Sequence, residues 1–238
     1  MNKEYIFQQF LFLILLVFTS SVISLKPCGH EHFLSFVTHF NIKPVLHYIG
    51  ENNNTNFEKS PNASSWDPNW IESMGGIDYP DSQNRSGFFP IKFMPRQNVF
   101  YCALPYNDLD QWGRKISSIH IPWADEIDLN DHRDSIIQHR WIRVATHEVE
   151  GYCQLEDVGP GGSDDFDYVF GPAHAIPEYE HGGIGISPAL AQVLGMLNHI
   201  KSRDMVMWSF VDEHHVPNGP WIFKKEKKEK LLRTKRKY

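Results

Sequence analysis

Polar and apolar positions fall into register most clearly in the second half of the chain. The runs "RWIRVAT" (140–146) and "GYCQLED" (151–157) alternate as strands do, and a short polar turn at 147–150 joins them. "MVMWSFVD" (205–212) alternates again and puts Val206, Trp208 and Phe210 on one face. One helix stands out in "SPALAQVLGM". Ser187 suits its N-cap, Pro188 its first position and Gly195 its C-terminal stop, with Leu190, Val193 and Leu194 as the apolar stripe. Between 50 and 98 no period holds. Asn, Ser, Pro and Gly dominate "ENNNTNFEKSPNASSWDPNWIESMGGIDYPD", which suits long ordered loops wrapped over a core and pinned by Trp66 and Trp70. The pattern predicts a mainly β protein with one short helix and long N-terminal wrapping loops.

The two ends of the chain add a compartment and a charge. After Lys3 comes "FLFLILLVF" (10–18), an apolar core too short to cross the ~30 Å of a bilayer as a helix. With its cationic start and the small residues that follow, it reads as a secretory signal peptide over 1–24, and the protein as secreted or periplasmic. The rest divides into a loop-rich N-terminal part of the domain (25–98), the β domain (99–223) and a basic, disordered tail (224–238). That tail carries nine Lys/Arg against two Glu, a net of +7; with the whole chain at −6, the remainder is −13. So acidic a body argues against nucleic acid as a partner, whereas the tail suits contact with an anionic surface. Of the three cysteines, Cys102 and Cys153 are the expected bridge in an oxidising compartment, although sequence leaves the pairing open. "CGHEH" (28–32) groups residue types that grip transition metals, but it lies just past the cleavage site. Neither a metal nor a cofactor is expected.

Candidate chemistry gathers in "CQLEDVGPGGSDDFDYVFG" (153–171). Strand alternation puts Cys153, Leu155 and Asp157 on one face and sends Glu156 to the other. Asp157 then ends an inward-pointing row beside a Gly-Pro turn. Two readings fit it: a desolvated carboxyl acting as general acid, or a carboxylate that locks the turn by accepting backbone N–H bonds. Asp164, Asp165 and Asp167 follow as a loop whose spacing does not match an EF-hand. In "ALPYND" (103–108), Asp108 is a weaker catalytic candidate and Tyr106 its neighbour, against an Asx-type turn. Tyr106, Trp112 and Tyr168 are the candidate substrate-binding aromatics, with Trp123 and Trp141 as further groove candidates.

"CQLEDVGPGG" followed by "GIGISPALAQVLGM" resembles the double-psi β-barrel of RlpA-like proteins (rare lipoprotein A) and of expansins, over about 99–215. A closer likeness, reaching back to about residue 37, is to a group of uncharacterised secreted bacterial proteins. These carry blocks like "WDPNW", "FYCALPYNDL", "EDVGP", "YVFG", "ISPAL" and "VPNGPW". The resemblance implies a six-stranded double-psi β-barrel with a groove that accommodates glycan, and it carries Asp157 onto the family's groove aspartate. The chain departs from the pattern at one place. Where the family has Leu-Asp-Leu-Ser before the helix, this chain has Ile184, Gly185, Ile186 and Ser187.

The expected function is therefore binding of cell-wall polysaccharide or peptidoglycan in a barrel groove. The alternative is a peptidoglycan lytic transglycosylase with Asp157 as its single general acid/base. Ordinary glycosidases need two carboxylates, whereas a transglycosylase can use the sugar's own hydroxyl as nucleophile. Export is directly testable: protein recovered outside the cytoplasm should begin near Leu25. Mass spectrometry finding an intact Met1 in that pool would refute the signal-peptide reading.

Overall fold

The computed structural model describes residues 36–51, 62–126, 133–171 and 182–223. The signal segment, the "CGHEH" stretch and the basic tail lie outside them. The described residues form eleven strands: β1 (His39–Ile42), β2 (Pro44–Leu46), β3 (Arg85–Ser86), β4 (Phe89–Pro90), β5 (Tyr101–Leu104), β6 (Leu109–Asp110), β7 (Gly113–Arg114), β8 (Trp141–Ala145), β9 (Glu150–Val158), β10 (Ile184–Ile186) and β11 (Val206–Val211). Two small hairpins, β3–β4 and β6–β7, stand apart. The other seven strands make one sheet in the order β1-β11-β8-β9-β5-β10-β2.

The two ends of that sheet come from one stretch of chain. β1 pairs antiparallel with β11 through His39↔Trp208 and Ile42↔Val206, and β2 pairs parallel with β10 through Pro44↔Ile184 to Leu46↔Ile186. Lys43, between them, accepts a backbone bond from Gly183 (2.9 Å). Residues 39–46 thus serve both edges and nearly close the sheet into a barrel, which leaves little unpaired edge. The sheet counts seven strands rather than the expected six because this segment breaks at Lys43 as it passes from one edge to the other.

The alternating runs fold as strands. β8 and β9 pair from Trp141↔Gln154 to Ala145↔Glu150, and β11 pairs with β8 through Trp208↔Val144 and Phe210↔Ile142. One face of these strands carries Ile142, Val144, Cys153, Leu155, Val206, Trp208 and Phe210, all buried. Cys102 on β5 bridges to Cys153 on β9, with Cα atoms 5.9 Å apart. Tyr168 lies in the same core, where its hydroxyl donates to the Gly183 carbonyl and accepts from Trp208 Nε1, each at 2.9 Å.

The expected helix spans Pro188–Val193, with Ser187 Oγ accepting from Leu190 N. It packs on Gly151 of β9, where an added Cβ would sit 2.6 Å from Leu190 Cδ1 and 3.3 Å from Val193 Cγ1, so a side chain there would have to displace the buried Leu190. Two further helices, Trp70–Met74 and Phe166–Phe170, have five residues each, too short for a helical period to show in the sequence. No helix among the described residues is long and apolar enough to cross a membrane.

Residues 62–98 wrap over the barrel and are pinned by a buried polar knot. Arg85 pairs with Asp78, Tyr101 OH donates to the other Asp78 oxygen (3.0 Å), and Ile49 N donates to the Tyr101 oxygen (3.1 Å). Breaking one side of a buried ion pair strands a charge, whereas replacing both sides with apolar residues does not. Asp78→Asn should therefore lower unfolding stability by ~3 kcal/mol or more, and the double change Asp78→Leu with Arg85→Met by less, its remaining loss coming from the buried Tyr101 hydroxyl left without an acceptor. Urea denaturation of both variants checks this, and equal losses would contradict it.

Candidate functional site

The site starts from an irregularity in β9. Cys102 pairs with Leu155, but the next residue of β5, Ala103, pairs with Asp157, so Glu156 is an inserted bulge residue. Consecutive residues of β5 face opposite sides. Leu155 therefore faces inward with Cys102, while Asp157 turns to the outer face with Ala103. The expectation that Cys153, Leu155 and Asp157 share one face fails here, because alternation counts residues and a bulge adds one.

Asp157 is buried all the same, beneath the wrapping segment. Its Oδ1 accepts from Val158 N (2.8 Å) and from Ser65 N (2.7 Å). Its Oδ2 lies 3.1 Å from Nε2 of His47, the residue after β2. With the ring protonated, that contact is an ion pair between imidazolium and carboxylate. On the other side His47 Nδ1 is 3.5 Å from Glu51, and the ring stacks on Trp70 at 6.0 Å between centroids. Burial alone would hold the His47 imidazole low, but Asp157 and then Glu51 outweigh it and push it up to about 9.

Gly185 faces this pair. A Cβ there would lie 2.9 Å from His47 Cβ and 3.2 Å from Ala103 Cβ. His47 thus fills the space in which a side chain at position 185 would begin.

Glu156 takes separate partners, although the bulge removes the opposite-face separation that alternation predicts. Its Oε1 lies 2.7 Å from His139 Nδ1, and its Oε2 accepts weakly from Gln138 Nε2 at 3.5 Å. His139 has a left-handed backbone (φ 66°), held by its N–H to the Leu155 carbonyl at 2.8 Å. The Glu156 hydrogen bond raises the His139 imidazole above its ordinary value. A cavity of about 340 Å³ opens beside this pair, lined by Trp70, Gln97, Trp141, Gln154 and Glu213 among others. A second of about 230 Å³ shares His139, Trp141 and Glu213 with it.

The remaining sequence candidates sit apart from this arrangement. Asp108 is buried and bonds Ser135 Oγ and Ile136 N, each at 2.7 Å; burial pushes its carboxyl up against those bonds. Tyr106 is buried against Phe166 and Phe170, its hydroxyl on Ser117 Oγ at 2.9 Å. Tyr168 belongs to the core described above, and Trp123 is buried with Nε1 donating to the Ile136 carbonyl. Trp112 stands at the tip of the β6–β7 hairpin, 85 % exposed. Asp164 pairs with Lys115 (2.8 Å), and Asp165 caps the helix Phe166–Phe170. Among the described residues no group of three or more His, Cys, Asp or Glu converges as a metal site. Sequence reasoning missed His47, Glu51 and His139, which no local pattern marks. Of the cavity's tryptophans, the sequence marks Trp70 as a pin and Trp141 as a groove candidate. No family model matches the chain, and no curated protein matches it.

The His47 pair predicts a pH dependence. An imidazole raised from 6.5 to about 9 on folding contributes stability that is fully present below pH 6.5 and lost as pH rises through 9. The contribution is on the order of 3 kcal/mol. Wild type should lose stability across that window more steeply than His47→Gln, and urea unfolding at a series of pH values measures the difference. Parallel curves would remove the ion pair from the account.

Proposed function

We propose that the protein is a secreted, RlpA- or expansin-like double-psi β-barrel that binds cell-wall glycan in a groove on the barrel's outer face. The observation that carries the reading is the cavity beside the β9 bulge. It combines the indole walls of Trp70 and Trp141 with carboxylate, imidazole and amide groups, the mixture that sugar recognition uses. Support for the winding comes from the two parallel pairings, β5 with β9 and β2 with β10, and from counting 39–46 as a single strand, which brings the barrel to six. The partner is cell-wall polysaccharide or peptidoglycan, met in the periplasm or outside the cell.

Binding stands ahead of cleavage for two reasons. Gly185 supplies no second carboxylate, and the Asp157 oxygens are already engaged by Ser65, Val158 and His47. The second reading, a lytic transglycosylase working through Asp157, is favoured by one observation: a titratable side chain, His47, sits against that carboxylate.

Mature protein incubated with insoluble peptidoglycan should sediment with it and release no anhydro-sugar products. Release of such products, abolished in Asp157→Asn at unchanged thermal stability, would establish the transglycosylase instead. A structural Asp157 predicts that the same change lowers stability by ~1 kcal/mol or more through a weakened charge-assisted bond. Protein that neither sediments nor cleaves would overturn both readings.

A further inference from the structure

The cavity beside the bulge carries a chemical bias that a general glycan-binding reading leaves open. Two of its amides are engaged within the fold. Asn98 Nδ2 donates to Gln154 Oε1 and to the Trp221 carbonyl, and Asn98 Oδ1 accepts from Phe100 N. Their task is to shape the wall.

His139 and Glu156 are different. Each rides on a backbone irregularity, a left-handed residue and a bulge, and the two irregularities are bonded together. His139 N donates to the Leu155 carbonyl (2.8 Å), and Leu155 N donates to the Arg140 carbonyl (2.9 Å). Non-glycine residues in such conformations persist where the surroundings hold them, and they cluster at functional sites. Their shared bond occupies Nδ1 of one side chain and Oε1 of the other. Both residues line the cavity; the imidazolium that the Glu156 bond favours has a second donor at Nε2, and Glu156 Oε2, which takes only a long bond from Gln138 Nε2 (3.5 Å), can accept another. A donor next to an acceptor matches two adjacent hydroxyls of a sugar ring, one accepting and one donating.

The charges around them set the class of sugar. Glu156 and Glu213 both line the cavity, and no lysine or arginine does among the described residues. His139 offsets Glu156, and a ligand carboxylate or phosphate would still meet the Glu213 charge with no lysine or arginine of the lining beside it. The size sets the number of residues. About 340 Å³ stands at the small end of ligand pockets (~300–1,000 Å³), room for one sugar ring. Continuation past Trp141 leads into the adjoining cavity.

Resting on the glycan reading above, we propose that this cavity is a subsite for one uncharged sugar residue. The His139–Glu156 pair holds it through adjacent hydroxyls between Trp70 and Trp141. Uronic-acid and phosphate-bearing polymers are disfavoured there.

The test is calorimetric titration of the mature chain with three probes: tetra-N-acetylchitotetraose, cellotetraose and tetragalacturonate. At least one neutral probe should bind ten times or more tighter than the galacturonate. Glu156→Gln, which keeps the side-chain shape, should weaken the neutral probe about tenfold and narrow the gap to the anionic one, with the protein still folded by circular dichroism. Equal or tighter binding of tetragalacturonate overturns the proposal, and so does neutral binding that Glu156→Gln leaves intact. Sedimentation with peptidoglycan but no binding of any probe overturns the subsite and leaves the glycan reading standing. Loss of both removes the reading and the subsite with it.

Discussion

The structure depends on residues 39–46 serving both edges of one sheet. A sheet of seven strands has two edges to satisfy, and here a single extended segment satisfies both, first against β11 and then against β10. Closure of this kind is non-local: the segment must find partners more than 130 residues further along the chain. Its consequence is positional. Once β2 is locked parallel to β10, the next residues have little freedom, and His47 emerges beside Gly185 with its backbone N–H on the Ile186 carbonyl. The site is thus fixed by the same pairing that closes the barrel.

The bulge supplies the second constraint. Adjacent carboxylates on a regular strand would point to opposite faces, one of them into the apolar interior beside Cys153 and Leu155. Burying an ionised carboxylate there, without partners, would be costly. The inserted residue removes that conflict. It turns Asp157 onto the outer face, where Ser65, Val158 and His47 await it, and leaves Glu156 to meet His139. Two neighbouring residues of one chemical type thereby acquire separate partners and separate cavity access. One is enclosed and ion-paired; the other lines an open wall.

What could be read in the sequence follows from the range of each interaction. Strands β8, β9 and β11, the cap at Ser187 and the turn that follows β9 rest on neighbours within a few residues, and their signals are local. The Cys102–Cys153 bridge was also within reach, because few cysteines compete for it. His47 and His139 were not, since their roles come from partners 110 and 17 residues away. Tyr106 and Tyr168 mislead for the opposite reason. An aromatic next to an aspartate looks like a binding residue, but burial and satisfied hydroxyls place both inside the fold. The bulge leaves one mark, the adjacent pair Glu156 and Asp157, where polar follows polar and the alternation of Cys153, Gln154 and Leu155 stops.

Gly185 and His47 are best understood together. A side chain at 185 would start 2.9 Å from the His47 Cβ, so an aspartate there and an imidazole at 47 compete for one volume. The choice has a chemical meaning. Two carboxylates in one enclosed site cannot both ionise easily; one holds a proton near neutral pH and can deliver it. A carboxylate beside an imidazole held up to about 9 settles into an ion pair at neutral pH, and the imidazolium is then a poor proton acceptor. Such a pair fixes the wrapping segment over the barrel better than it moves protons. Trp70, stacked on His47 and lining the adjacent cavity, carries that rigidity into the groove wall. Under the proposed glycan reading such a wall favours binding, because an indole already in place loses little freedom when a ligand arrives.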